Sequence, residues 1–217
     1  MEGHSFRLGD HGRYHAQTMP RKRTYLRANQ FQPHPEDAAA IEQLSNVRFC
    51  CFGLTPRGRV YGVSGYLSDS NVDTLLQLPE LLDVSVMHNC SSNVPIFTDS
   101  GLEQLCVHPS LRIFSCAQNP ALTDKSAAAL SLSSRMQWFC LNRCAITDLG
   151  VQYISENRRL LGLYLDYAEI TEDCVPYLCR LTNLRNLRLT NTLVTESFRD
   201  KLSAHLPRCR TLKLSPE

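Results

Sequence analysis

Cysteine and histidine are the residues of this chain best equipped for chemistry, with 10 of the first and 7 of the second in 217 residues. A structural zinc site needs ligands paired at close spacing, of the C-x-x-C kind. Cys50-Cys51, His88 with Cys90, Cys140 with Cys144, and Cys174 with Cys179 do not make that pattern. A thiol nucleophile needs a histidine within hydrogen-bond reach and a third group to orient it. His88, His108 and His205 fall at a turn, a helix end and a late helix, and no cysteine is obviously paired with any of them. The chain has no G-x-S-x-G elbow, no H-E-x-x-H pair and no glycine-rich phosphate loop. The expectation is a protein that is not an enzyme and takes no cofactor and no metal. A hydrolase built on Cys140 is the catalytic rival, and preferential labelling of that thiol would reveal it.

What positions these residues is a repeat. Six segments read apolar-x-x-apolar-x-apolar, starting at Leu81, Leu111, Met136, Leu160, Leu184 and Cys209, with spacings of 30, 25, 24, 24 and 25 residues. A second motif keeps phase with them. It begins at Leu67, Phe97, Leu122, Ile146, Ile170 and Val194, as in Phe97-Thr-Asp-Ser-Gly-Leu102. Its Ser68, Thr98, Thr123, Thr147, Thr171 and Thr195 are good N-caps. The acid after each lies in the first turn and favours the positive end of the helix dipole. Apolar residues downstream fall on one stripe, such as Val151, Ile154 and Leu160, or Val175, Leu178 and Leu181. Each unit is therefore a short strand, a turn and a helix of about three turns. Stacked units bury what one alone cannot. Most cysteines sit at repeat positions beside apolar residues, which suits small buried hydrophobes in a reducing compartment.

Residues 36 to 214 resemble the leucine-rich-repeat family. Cys140-Leu-Asn-Arg-Cys-Ala-Ile-Thr-Asp-Leu-Gly-Val151 is similar to the cysteine-containing subclass. Leu181 to Glu196 and the ending Lys201 to Cys209 are similar to bacterial repeats. The resemblance implies an α/β solenoid, with a parallel sheet on the concave face and helices on the convex one. It also implies an Asn, Cys or Thr three residues past each strand, serving buried loop backbone. Thr55, Asn89, Asn119, Cys144, Ala168 and Thr192 stand there, and Ala168 lacks the needed group. Upstream, Val47 to Phe52 fits the strand template. Leu67 then follows Phe52 by 15 residues where ordinary repeats need 5, so Gly53 to Arg59 is expected to form a hairpin or protruding loop. A second insert, Cys90 to Pro95, lengthens the next repeat.

Alternate strand residues face opposite sides of a sheet. The concave face then carries Asp83, Ser85, Met87; Ile113, Ser115, Ala117; Trp138, Cys140, Asn142; Gly162, Tyr164, Asp166; and Asn186, Arg188, Thr190. It includes the sole tryptophan. Trp, Tyr and Arg dominate binding hot spots, so Met87, Trp138, Asn142, Tyr164, Asp166 and Arg188 are the expected binding residues. Their surface, ~25 Å wide by strand spacing, suits a protein or peptide partner rather than a metabolite.

With 43% hydrophobic residues and a net charge of +2, the composition implies neither a nucleic-acid binder nor a membrane-surface binder. No apolar run nears the ~20 residues of a membrane span. Met1 to Asp10 hold no signal-peptide stretch, so a cytoplasmic protein is expected. Residues 1–34 read as a basic flexible segment, and 35–217 as one repeat domain. Pro20 to Arg23 is the part of that segment suited to an anion, RNA or an acidic partner. The alternative function is the substrate-recognition subunit of a ubiquitin-ligase-type complex. That role needs an F-box-like helical segment ahead of the repeats, and residues 1 to 35 offer no such apolar pattern.

Overall fold

The computed structural model describes residues 25–87 and 96–214. Nine strands form one sheet in chain order: β1 (Tyr25–Leu26), β2 (Cys51–Leu54), β3 (Val60–Gly65), β4 (Asp83–Val86), β5 (Ile113–Cys116), β6 (Trp138–Cys140), β7 (Gly162–Tyr164), β8 (Asn186–Arg188) and β9 (Thr211–Lys213). From β3 onward every pairing is parallel. Seven helices return the chain among the described residues: α1 (Ala38–Leu44), α2 (Val72–Leu76), α3 (Asp99–Leu105), α4 (Asp124–Leu132), α5 (Asp148–Ile154), α6 (Val175–Leu178) and α7 (Arg199–His205). This is the α/β solenoid that the repeat pattern implied.

The core lies between sheet and helices. One inward row, Val63, Val84, Phe114, Phe139, Leu163 and Leu187, is wholly buried along the register of β3 to β8. Val151, Ile154, Val175 and Leu178 meet it from the helices, each at 0% exposure. The helices are shorter than three turns, since α5 has 7 residues and α6 has 4. Leu160 and Leu181 belong to the approach to the next strand and not to the helix. A 3-10 turn, Glu172–Cys174, follows the Ile170 motif, and Pro176 lies in the first turn of α6.

The threonine caps hold in the middle of the solenoid. Thr98, Thr123, Thr147 and Thr171 accept from the N–H two residues on, at 3.2, 3.2, 3.3 and 3.2 Å. Ser68 and Thr195 make no such bond. The acids do more than face a helix dipole. Asp69, Asp99, Asp124 and Asp148 each accept the N–H and the Oγ1–H of the next unit's threonine, at 2.6 to 2.8 Å. The motif is thus a ladder between units as well as a cap.

Two expectations about the beginning need correction. Val47–Phe52 is not the first repeat strand; β3 fills that place and pairs in parallel with β4. β2 runs antiparallel to β3, joined by the turn Thr55–Arg59, where Gly58 takes φ +78°. Thr55 therefore closes a hairpin, donating its N–H to the Arg59 carbonyl at 2.8 Å, and does not serve a repeat loop. The first 34 residues are not all tail either. Tyr25–Leu26 pair with β2, and the Phe31 ring packs on Phe52 at 5.9 Å between centroids. His88, Asn89, the Cys90 to Pro95 insert and residues 1–24 lie outside the described residues.

Candidate binding face

The sheet face opposite the helices carries most of the residues expected to bind. Register puts Asp83, Ile113, Trp138, Gly162 and Asn186 side by side, with Tyr25 and Gly62 extending the row toward β1. The next row holds Ser64, Ser85, Ser115, Cys140, Tyr164, Arg188 and Lys213.

Trp138 sets the shape of the face. Its indole lies over Gly162, where an added Cβ would stand 2.4 Å from the ring, so no larger residue fits there without displacing it. The Tyr164 ring meets it edge-on, 5.4 Å away at 86°. Ile113, Trp138, Cys140 and Tyr164 form an apolar cluster separate from the main core. The indole Nε1 is buried and has no hydrogen-bond partner among the described residues. Buried donors are rarely left so, and each one calls for an explanation.

Polar groups flank the aromatic pair. The Arg188 guanidinium lies 5.4 Å from the Tyr164 ring centre, and its Nη2 stands 2.8 Å from Asp166 Oδ2. Asp166 Oδ1 accepts from the Thr190 N–H at 2.9 Å and from its hydroxyl at 2.7 Å. Asn142 Oδ1 accepts the Asp166 N–H at 2.9 Å. Asn142, Asp166 and Arg188 thus brace one another beside the aromatics. The sixth expected residue, Met87, stands apart at the end of β4, two strands from Trp138.

These side chains face the expected side but are not exposed. Trp138, Tyr164 and Arg188 are 5%, 3% and 7% exposed, and only Met87 is half-buried. The close packing over Gly162 and the Asp166–Arg188 pair account for part of that depth.

The chemistry of the thiols fits packing. Burial pushes the Cys140 thiol up to about 11, which leaves about one in ten thousand ionised at pH 7. Burial likewise pushes Cys50, Cys106 and Cys174 up to about 12. The nine described cysteines are free thiols. Among the described residues, no group of three or more His, Cys, Asp or Glu is placed to hold a metal.

Two features escaped the sequence. Tyr25 reaches across the face, its hydroxyl donating to Asp83 Oδ2 at 2.9 Å. Gln118, Arg143, Tyr167 and Asn191 repeat a left-handed backbone, with φ of 60°, 56°, 60° and 58°. The N–H groups of the first three donate to the carbonyls of Asn142, Asp166 and Thr190, at 2.8 to 2.9 Å. None of the four is glycine, so the usual signal for positive φ is missing.

No family model matches the sequence, and no curated protein matches it either. Solved structures are similar in fold. An internalin C2 (inlC2) of Listeria monocytogenes shares 15% identity over 89% of this chain and 90% of its own, with a TM-score of 0.50. An internalin (inlF) of the same organism shares 17% over 70% of this chain and 47% of its own, with a TM-score of 0.46. A leucine-rich-repeat protein of Leptospira interrogans shares 16% over 64% of this chain and 38% of its own, at 0.36. This chain therefore spans less than half the length of the second and third of these. Six phased motifs, a parallel sheet backed by helices and the likeness to internalin C2 give the chain a leucine-rich-repeat fold.

Proposed function

We propose that the helix-free face binds a protein or peptide partner and that the chain is a non-catalytic interaction module. The observation that carries this reading is the buried Trp138 indole N–H with no acceptor among the described residues, beside the edge-on Tyr164. A partner carbonyl or carboxylate would complete it. Trp138 and Tyr164 are the anchors, a small aromatic centre of the kind from which affinity comes more than from area. Arg188, Asp166 and Asn142 hold that centre in place and form its polar margin, and Met87 marks the far margin. A reducing, cytoplasmic setting suits thiols packed as core residues. No helix among the described residues is long and apolar enough to cross a membrane.

The test takes two steps. Proximity labelling in the native cell identifies the partner, and titration of purified proteins then compares variants. Trp138→Ala combined with Tyr164→Ala abolishes measurable binding while the helical CD spectrum stays intact. Unchanged affinity in that folded double variant defeats the reading.

A further inference from the structure

The net charge of +2 conceals a separation of charge between the two rims of the solenoid. Acids gather where strands lead into helices: Asp124, Asp148, Glu172 and Glu196 stand in the first turns of successive units. The opposite rim, where helices lead into strands, is basic. The four connections that end in β6 to β9 are residues 133–137, 155–161, 179–185 and 206–210. They hold seven arginines, no lysine and one acid, Glu156. All seven arginines are exposed. Arg180 pairs with Glu156 at 3.3 Å. The side chains of Arg135, Arg159, Arg185 and Arg210 have no ion pair and no hydrogen bond among the described residues. Helix dipoles do not account for the row. α4, α5 and α6 have no basic residue in their last turns, and the effect fades beyond that turn. Register instead brings like charges together. The Arg210 N–H donates to the Arg185 carbonyl at 2.8 Å, so the two side chains leave from neighbouring units. Like charges side by side across a sheet destabilise it. A row that repels itself is suited to an anionic polymer.

We propose that this rim binds the sugar–phosphate backbone of a single-stranded nucleic acid, independently of base sequence and of the helix-free face. Residue type points to phosphate. The guanidinium fork matches phosphate oxygens two at a time, as the point charge of lysine does not. The missing apolar anchors point the same way. No large hydrophobic residue in the four connections is exposed. The rim therefore has neither the buried aromatic or aliphatic centre of a protein interface nor the side chains that sink into a bilayer. Interfaces with nucleic acid are polar and strongly positive, and phosphate contacts supply their sequence-independent affinity. Shape selects the single strand. Successive units present Arg159, Arg185 and Arg210 at about 4.8 Å per strand, and β6 to β9 span about 14 Å. One flexible strand can follow such a narrow line unit by unit, whereas a rigid duplex would meet only part of it.

The test is the fluorescence anisotropy of a fluorescein-labelled oligouridylate of about 12 nucleotides, titrated with the full chain. If the six arginines other than Arg180 each neutralise a phosphate, log association constant falls against log salt with a slope of about −4, at about −0.7 per contact. Arg159→Gln combined with Arg185→Gln weakens binding at least tenfold at about 0.1 M salt and flattens the slope to about −3. Lys125→Gln, at the start of α4 on the acidic rim, leaves both unchanged. The CD spectrum of each variant matches the wild-type protein. No measurable binding at about 0.05 M salt overturns the proposal, as does binding that the double variant leaves unchanged. Equal displacement by an oligoglutamate of the same length also overturns it, because the site then answers to charge and not to a phosphate backbone. Sedimentation with phosphatidylserine vesicles in place of oligouridylate binding assigns the rim to a membrane and likewise overturns it.

Discussion

Single residues show how closely the units are fitted. A Cβ on Gly150 would stand 2.3 Å from Asp124 Oδ1, and one on Gly101 only 2.0 Å from Asp69 Oδ1. Glycine is there because the neighbouring unit's carboxylate needs the room. Gly150→Ala should cost about 1–3 kcal/mol, as overpacking does, read from the midpoint of urea unfolding. Where the motif has Ser126 instead, its hydroxyl donates to Asp99. His108 shows a different economy. It is buried, with Nε2–H donating to the Leu78 carbonyl at 2.9 Å and Nδ1 accepting from the Ser110 N–H at 3.2 Å. The Ser110 bond needs an unprotonated Nδ1, and burial holds the ring's pKa below the usual histidine value, although the Leu78 bond acts in the opposite direction. The unfolded chain then takes up the proton more readily, so stability rises with pH below about 6.5 and is lost as pH falls. His108→Asn should flatten that part of the pH profile. Asn157, also three residues ahead of its strand segment, already donates to the Met136 carbonyl at 2.9 Å. An unchanged slope in the variant would assign the pH dependence elsewhere.

Elements join through the threonine–acid ladder more than through any single helix. Each of the four aspartates accepts the N–H and the hydroxyl of the next unit's threonine, and Asp99 accepts two further bonds from Ser126, but Glu172 accepts only the Thr195 hydroxyl, at 2.8 Å. Its longer side chain forfeits the backbone bond. The last two of the six motifs, like the first, also open with 3-10 turns. Amide hydrogen exchange should therefore show protection falling from β6 toward β9, and equal protection along the sheet would contradict the ladder's role. Asp124→Asn, which weakens two charge-assisted bonds, should cost about 1–2 kcal/mol in denaturant unfolding. Much at this scale was legible in the sequence. The strand templates and capping motifs locate β4 to β9 and the helix starts, because both depend on local periodicity. The ladder was not legible, since Asp124 and Thr147 meet only when units stack. The β2–β3 hairpin misled for a related reason: Val47–Phe52 has the apolar spacing of a repeat strand, yet Gly58 and the turn at Thr55–Arg59 hand that place to β3.

At the scale of the molecule, a solenoid's stability is a sum over neighbours. Leu163 lies in the middle of the inward row and touches both sides, so Leu163→Ala should cost about 2–5 kcal/mol and broaden the unfolding transition. A loss confined to one neighbour, seen by hydrogen exchange, would argue against that coupling. The sheet register that builds the core also builds the opposite face, and this is why alternation alone puts Trp138, Tyr164, Asp166 and Arg188 on one side of the sheet. Depth of burial could not be read the same way, because it depends on Gly162 beneath the indole and on the Asp166–Arg188 pair beside the Tyr164 ring. The measurement that bears most directly on the account is the affinity of the identified partner for Trp138→Phe beside Leu132→Ala. The first removes the indole donor, and the second removes a side chain that is 86% exposed at the end of α4. The account predicts at least tenfold weaker binding for Trp138→Phe, about 1.4 kcal/mol, and wild-type affinity for Leu132→Ala. Equal affinity for Trp138→Phe and the wild-type protein would contradict it.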